Sequence, residues 1–407
     1  MKEYNDKAVA GNYGGRVRSD CQVMIEPTRS GGIDIEIQSK VKTLYGREMT
    51  DQIRRAMDFF GVRNARVVLF DSGALPWVID ARLEAAARAV ADVRKSLLPP
   101  TAFPVAKVSA RDRRRCSRLY LPGNSPSLMI NAYLHQPDGL ILDLEDAVAP
   151  DKKPEARVLV RNALRSLNFG EAEKMVRINQ GAAGLDDLDW VVPHGVDLIL
   201  LPKCERPEAV TAVAEKIGQL RAVHGIDQEI WIMPIIESAL GIENAFGIAS
   251  ASPSVVALAI GLEDFTADLG VVRTLEGTES LYARSALVNA CKAAGIQAID
   301  SVFSDVDDME GLKANVLKSK AMGFDGMGCI HPRQIRVIQE NFAPGLEEIE
   351  KAKKIVLAFM EARKKGLSVV ALGSKMIDPP VVKRAEKVIG EAIQLGMMAP
   401  DWFTTME

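Results

Sequence analysis

Two acidic residues stand at the ends of two short apolar runs, and their chemistry organises the reading of the chain. The run 230–236 (IWIMPII) delivers Glu237, and the run 255–262 (VVALAIGL) delivers Glu263 and Asp264. Runs this short, continuous and β-branched suit strands buried on both faces of a parallel sheet. Residues 241–250 place Ile242, Ala245, Phe246 and Ala249 at helical spacing, which predicts a strand–helix–strand unit. Neighbouring strands lie about 4.8 Å apart, so Glu237 and Asp264 should meet at one end of the sheet. Two carboxylates on rigid supports, with no His nearby in sequence, suit a hard cation, Mg²⁺ before others. Helix capping or pairing with Arg would use the same two residues.

Similar runs recur at 119–121, 139–142, 175–178, 196–201, 296–303 and 324–330, making eight in all. Eight strand–helix repeats over roughly 220 residues fit a (β/α)₈ barrel. A doubly wound open sheet is the alternative, but no Gly-rich dinucleotide loop follows any run. The run ends carry Asn124, Asp143/Glu145/Asp146, Arg177 with Asn179, Lys203, Ser304/Asp305 and His331. Functional groups in such barrels come from the C-terminal strand ends, so these residues share one rim. Arg177 offers paired donors in a fixed fork for a substrate carboxylate, or equally for the acidic cluster 143–146. Lys203 could form a Schiff base, but the acidic cluster would hold it protonated, which favours an ion-pair role. Cys204 and Cys329 have no adjacent base, and His331 before Pro332 reads as structural.

The α/β barrel accounts for residues 111–345. Residues 1–95 read as a small α+β unit, with strands at 21–25, 33–37 and 65–70. Its first helix, 39–60, should bury Val41, Leu44, Ile53, Met57 and Phe60, and a second spans 80–94. Residues 96–110 carry three prolines and form a semi-stiff linker with a reach of about 20 Å. Residues 346–407 form a helical C-terminal extension, with helices at 346–365 and 381–395. A net charge of −3 and few aromatics argue against nucleic acid. No apolar run approaches a membrane span, and no signal peptide is indicated. Five scattered cysteines read as reduced thiols in a cytoplasmic protein.

Residues 1–95 resemble the acyl carrier (γ) subunit of citrate lyase, through AVAGN (8–12), SDCQVMIEP (19–27) and DSGALPWVIDARLEAAARA (71–89). From about Arg114 onward the chain resembles the β subunit of citrate lyase, within the wider metal-dependent citrate-lyase-like and malyl-CoA-lyase-like family. LYLPGN (119–124), LDLEDAV (142–148), VRIN (176–179), IIESALGI (235–242), GLEDF (261–265) and SKMIDPPV (374–381) carry that likeness. The resemblance implies a phosphoribosyl-dephospho-coenzyme A arm on Ser19, which from the residues alone is a serine on a Gly-rich loop. It implies Mg²⁺ on Glu237 and Asp264. It implies Mg-dependent cleavage of a citryl-carrier thioester into acetyl-carrier and oxaloacetate, with Arg177 and Asn179 at the substrate.

In that family an Asp matching Asp378 supplies acid–base help in the site of a neighbouring subunit, which requires a homo-oligomer. A separate acyl-transferase (α) subunit is also implied. The linker would swing the arm, and the run Arg111–Arg118 could meet its phosphates or remain a solvated edge. Competing readings are a malyl-CoA or citramalyl-CoA lyase with a vestigial carrier, and a non-catalytic carrier or assembly subunit.

Overall fold

In the computed structural model, which describes residues 6–103, 108–364, 370–372 and 375–403, those residues build four hydrophobic clusters: one in the N-terminal unit, two in the barrel and one in the C-terminal extension. Residues 104–107 of the expected linker, and 365–369, 373–374 and 404–407 of the expected extension, lie outside the described residues.

The N-terminal unit is a four-stranded sheet of β1 (Ala8–Gly11), β2 (Cys21–Pro27), β3 (Ile33–Ser39) and β4 (Ala65–Asp71), in the order β1-β2-β4-β3. Alternation in β2 turns Cys21, Val23 and Ile25 into the core beneath helices α1 (Lys42–Phe60) and α2 (Pro76–Val90). Helix α1 stops at Gly61, whose φ of 73° only glycine adopts at little cost. The expected burial of Leu44 does not occur. It is 71% exposed, and Met49, Ile53, Ala56 and Met57 supply the buried stripe. Helix α2 starts four residues before the expected Asp80, because Pro76 is suited to the first helical turn. Its two sides serve different cores. Ile79, Leu83 and Ala86 face the small unit, while Trp77, Val78 and Ala81 join the barrel's outer core.

The barrel comprises β5 (Ser117–Pro122), β6 (Gly139–Asp143), β7 (Glu173–Arg177), β8 (Leu198–Leu201), β9 (Trp231–Ile236), β10 (Ala257–Ile260), β11 (Gln297–Asp300) and β12 (Gly326–Cys329). Each pairs in parallel with the next, and β12 closes onto β5, giving the (β/α)₈ barrel expected from the eight runs. One face of each strand fills the interior with Ile141, Met175, Leu200, Met233 and Ile299, while the other packs against the surrounding helices. The single helix expected at 241–250 is instead two, Ala239–Glu243 and Ala245–Ala249, meeting at Asn244. Phe246 is accordingly exposed, and Ile248 takes the buried place.

On either side of residues 104–107 the linker is hydrogen-bonded to the barrel. Arg161 and Arg165 donate to the carbonyls of Leu97 and Pro99, Ala102 N–H donates to Arg165, and Trp231 Nε1 donates to Ser109 O. Pro99 and Pro100 have no N–H to donate, and the Pro99 carbonyl is taken up by Arg165. The C-terminal extension pairs helix Leu346–Lys364 with helix Pro379–Gln394, joined by a β-hairpin of β13 (Val370–Leu372) and β14 (Lys375–Ile377) that the sequence pattern did not indicate. It sits at the N-terminal strand ends, where Lys387 Nζ lies 3.5 Å from Asp325 just ahead of β12. No helix among the described residues is long and apolar enough to cross a membrane.

Candidate active site

The C-terminal strand ends bring the acidic residues together. Register pairs Ile236 with Ile260, so Glu237 directly follows β9, while Asp264 lies in the first turn of helix Leu262–Leu269 after β10. Lys203, two residues past β8, links them. Its backbone N–H donates to Glu237 Oε2 at 3.0 Å, and its Nζ lies 3.8 Å from Asp264 Oδ1. That backbone occupies the left-handed region (φ 47°), a conformation a lysine holds only where its surroundings demand it. Gly261 opens the space for Glu237, since a Cβ there would stand 2.3 Å from Glu237 Oε1.

Arg177, at the end of β7, grips Asp143 with two bonds of 2.7 and 2.6 Å. Its Nη1 also reaches Glu145 at 3.1 Å and the half-exposed Asp146 at 3.4 Å. Lys203 Nζ approaches Glu145 and Asp146 at 3.5 and 3.6 Å. Its pKa, drawn down by burial, is carried above the ordinary lysine value by Glu145, Asp146, Asp264 and Glu237. The ammonium is therefore retained, as the ion-pair reading requires. Five carboxylates thus face two cations at this rim.

Burial pushes the Glu237 carboxyl up to about 7; the Lys203 N–H bond opposes that shift and the Asp264 charge adds to it. A buried carboxylate with surplus negative charge around it is the electrostatic signature of a place for a cation. Among the described residues no group of three or more His, Cys, Asp or Glu could hold a metal alone. Glu237 and Asp264 therefore fit Mg²⁺ only as part of a shell that water and substrate oxygens would complete.

Other expected site residues lie elsewhere. Asn179 does not line the cavity. Its N–H and Nδ2 both donate to Asp187 Oδ2, and its Oδ1 accepts from Lys153. Asp378 caps helix Pro379–Gln394, accepting from Val381 N at 3.1 Å, on the extension at the opposite end of the barrel from Glu237. The basic run Arg111–Arg118 is not a phosphate-facing patch. Arg115 is buried against Glu173, Arg114 pairs with Asp138, and both precede β5 at the barrel's far end.

Ser19 is part-buried, in the left-handed region (φ 55°), with its N–H bonded to Ser72 O. Its neighbour Asp20 receives two 3.0 Å bonds from Arg82, whose Nη2 donates at 3.1 Å to Asn124 O, just past β5. The Ser19 loop is therefore fastened to the same end of the barrel as Glu237.

A cavity of about 390 Å³ runs from Asp264 and Glu237 down into the barrel, past Tyr120 to Arg118. Tyr120 lies under Arg177, ring to guanidinium 5.3 Å. Neither Tyr120 nor Arg118 stood out in the sequence as a cavity residue. The available signal was alternation in β5, where Leu119 and Leu121 turn outward and Arg118 and Tyr120 inward.

The architecture is thus a (β/α)₈ barrel with an acid-rich C-terminal rim, joined to a small α+β unit. Residues 116–332, more than half of the chain, match the family described as HpcH/HpaI aldolase/citrate lyase, and the chain belongs to that family. Residues 5–90 match the acyl carrier model described as malonate decarboxylase delta subunit (MdcD). Citrate lyase subunit beta of Haemophilus influenzae is 39% identical over 281 residues, covering 68% of this chain and 97% of its own length. The mitochondrial citramalyl-CoA lyase of Homo sapiens is 34% identical over 283 residues, covering 67% and 83%. The protein CitE of Mycobacterium tuberculosis, solved with magnesium, acetoacetate and coenzyme A, superposes with a TM-score of 0.57 at 30% identity, covering 70% of this chain and 99% of that one.

Proposed function

We propose that this chain cleaves a citryl thioester carried on its own N-terminal unit, leaving the acetyl thioester and releasing oxaloacetate. In these terms it joins the carrier (γ) and lyase (β) functions of citrate lyase. The observation that carries the reading is the Asp20–Arg82–Asn124 tie, which fastens the Ser19 loop to the rim bearing Glu237 and Asp264. A phosphoribosyl-dephospho-coenzyme A arm on Ser19 would start at the correct end of the barrel, and the arm itself would do the travelling. Tethering raises the effective concentration of thioester at the cavity.

A divalent cation held by Glu237 and Asp264 would supply Lewis-acid polarisation of the substrate hydroxyl and its neighbouring carboxylate. Lys203 N–H fixes the orientation of Glu237. Arg177 meets a substrate carboxylate by giving up its longest contact, Asp146 at 3.4 Å, while Asp143 keeps the guanidinium aimed. As the C–C bond breaks, the hydroxyl proton passes to Asp378 of a neighbouring copy. The electron pair moves into the thioester carbonyl, and the enolate carbon then takes up a proton. Asp378 cannot serve the rim of its own chain from the barrel's far end, so a homo-oligomer follows from this assignment. Acyl exchange onto free citrate would require a separate transferase subunit.

Purified protein with Mg²⁺ should release oxaloacetate from citryl-CoA in preference to glyoxylate from malyl-CoA or pyruvate from citramalyl-CoA. Dominant release of pyruvate or glyoxylate would reject the citryl assignment. Ser19→Ala should abolish the arm's mass increment after co-expression with the modifying enzymes. A retained increment would move the attachment site. Mixed Arg177→Ala and Asp378→Ala chains should regain activity; failure after verified subunit exchange would place Asp378 outside the shared site.

A further inference from the structure

We infer that Arg118 is the anion receptor at the floor of the cavity, and that it selects a four-carbon oxo dicarboxylate leaving group over oxo acids lacking the second carboxylate. This assignment rests on the proposed lyase reaction and names what decides its substrate.

Arg118 is 1% exposed inside the barrel. Among the described residues its Nη1 has one hydrogen-bond partner, the thioether of Met233 at 2.9 Å, and its Nε has none. A thioether is a weak acceptor, and an uncompensated guanidinium in a barrel interior is costly. Every other large buried arginine has a carboxylate: Arg82 has Asp20, Arg115 has Glu173, and Arg161 has Glu84. Asp300, which shares the cavity, does not serve Arg118. It is committed to Arg284 and to Ser319 Oγ.

The surroundings keep room for a ligand. Register places Gly139 and Gly328 directly beside Arg118 on the two neighbouring strands. A Cβ at Gly328 would crowd Val302 Cγ1 at 2.8 Å and Tyr120 Cε2 at 3.2 Å, and would stand 3.8 Å from Arg118 Nη2. The glycine thus leaves open the side of the cavity nearest Arg118 Nη2. Acidic groups line the mouth and an unpaired cation lies at the floor, so a substrate with oxygen ligands at one end and a free carboxylate at the other matches both. Oxaloacetate has that second carboxylate; pyruvate has a hydrogen in its place, and glyoxylate lacks the whole carboxymethyl group.

The test is the dissociation constant of oxaloacetate and of pyruvate, measured calorimetrically with Mg²⁺ on the full chain and on Arg118→Met and Arg118→Lys. The native chain should favour oxaloacetate. Arg118→Met should reduce that preference about 100-fold, and Arg118→Lys, which keeps the charge but loses the fork, about tenfold. Thermal melting establishes that each variant is folded, and Arg118→Lys stands in if Arg118→Met is not. A preference unchanged within twofold in a folded variant, or no preference in the native chain, overturns the assignment. Because this readout is binding, it separates from failure of the lyase reading, which the keto-acid release experiment measures.

Discussion

The seam between the carrier unit and the barrel and the cavity at the rim are both lined with buried charge, but their accounts differ. At the seam the fully buried Arg82 and Arg161 each have a carboxylate. Asp20 and Glu155 flank Arg82, Glu84 holds Arg161 with two bonds of 2.9 and 2.8 Å, and Arg161 and Arg88 both lie over the Trp190 ring. In the cavity Glu237 is raised to about 7 chiefly by its own burial, and Arg118 has no anion. Paired buried charge makes a joint, because breaking it strands the partner. Unpaired buried charge costs stability and persists where a ligand completes it. The same distinction explains why the carrier unit is docked on the barrel; under the proposed reaction, delivery would fall to the arm on Ser19.

The comparison can be broken most forcefully at the cavity. Glu237→Gln keeps the shape and removes the charge. Mg²⁺-dependent cleavage should fall by about 10³-fold or more, with the melting temperature at pH 8 unchanged or higher. A rate within tenfold of the native one would remove Glu237 from the chemistry. The seam should respond in the opposite sense. Arg161→Met leaves Glu84 buried with only Arg88, so urea unfolding should show a loss of about 3 kcal/mol, while Glu84→Leu with Arg161→Met recovers most of it. A single-variant loss below about 1 kcal/mol would mean the seam is no joint.

The smallest effect is a pH dependence that sharpens the contrast. A carboxyl whose folded pKa exceeds its unfolded value favours the folded state while protonated. For Glu237 that contribution is complete below about pH 4.5 and is lost as pH rises through 7, so the cation-free chain should lose about 3 kcal/mol over that window from this group. Cation binding needs the ionised form, so Mg²⁺ affinity should weaken about tenfold from pH 8 to pH 6. Affinity flat across that range would show that Glu237 carries no proton to displace.

Much of the scaffold was legible before any coordinates. Continuous apolar runs such as 196–201 and 255–262, separated by helical stretches, read directly as buried parallel strands, and all eight close the barrel. Leu44 and Phe246 misled for one reason. Helical spacing identifies an apolar stripe without saying which side of it another element covers. Asn179 follows the same β7 end as Arg177, yet Asp187 and Lys153 take up its hydrogen bonds away from the cavity.

Sequence alone determined the strand count, the common rim and the residues that stand on it. Parallel strands linked by helices can close only with like ends together, and period-two alternation then assigns inside and outside. Tertiary structure alone decided which charges are answered. Arg115 and Arg118 lie three residues apart in one basic run, yet one meets Glu173 and the other a methionine on β9. Whether a buried charge finds its counterion depends on contacts far along the chain, and no local pattern carries that information.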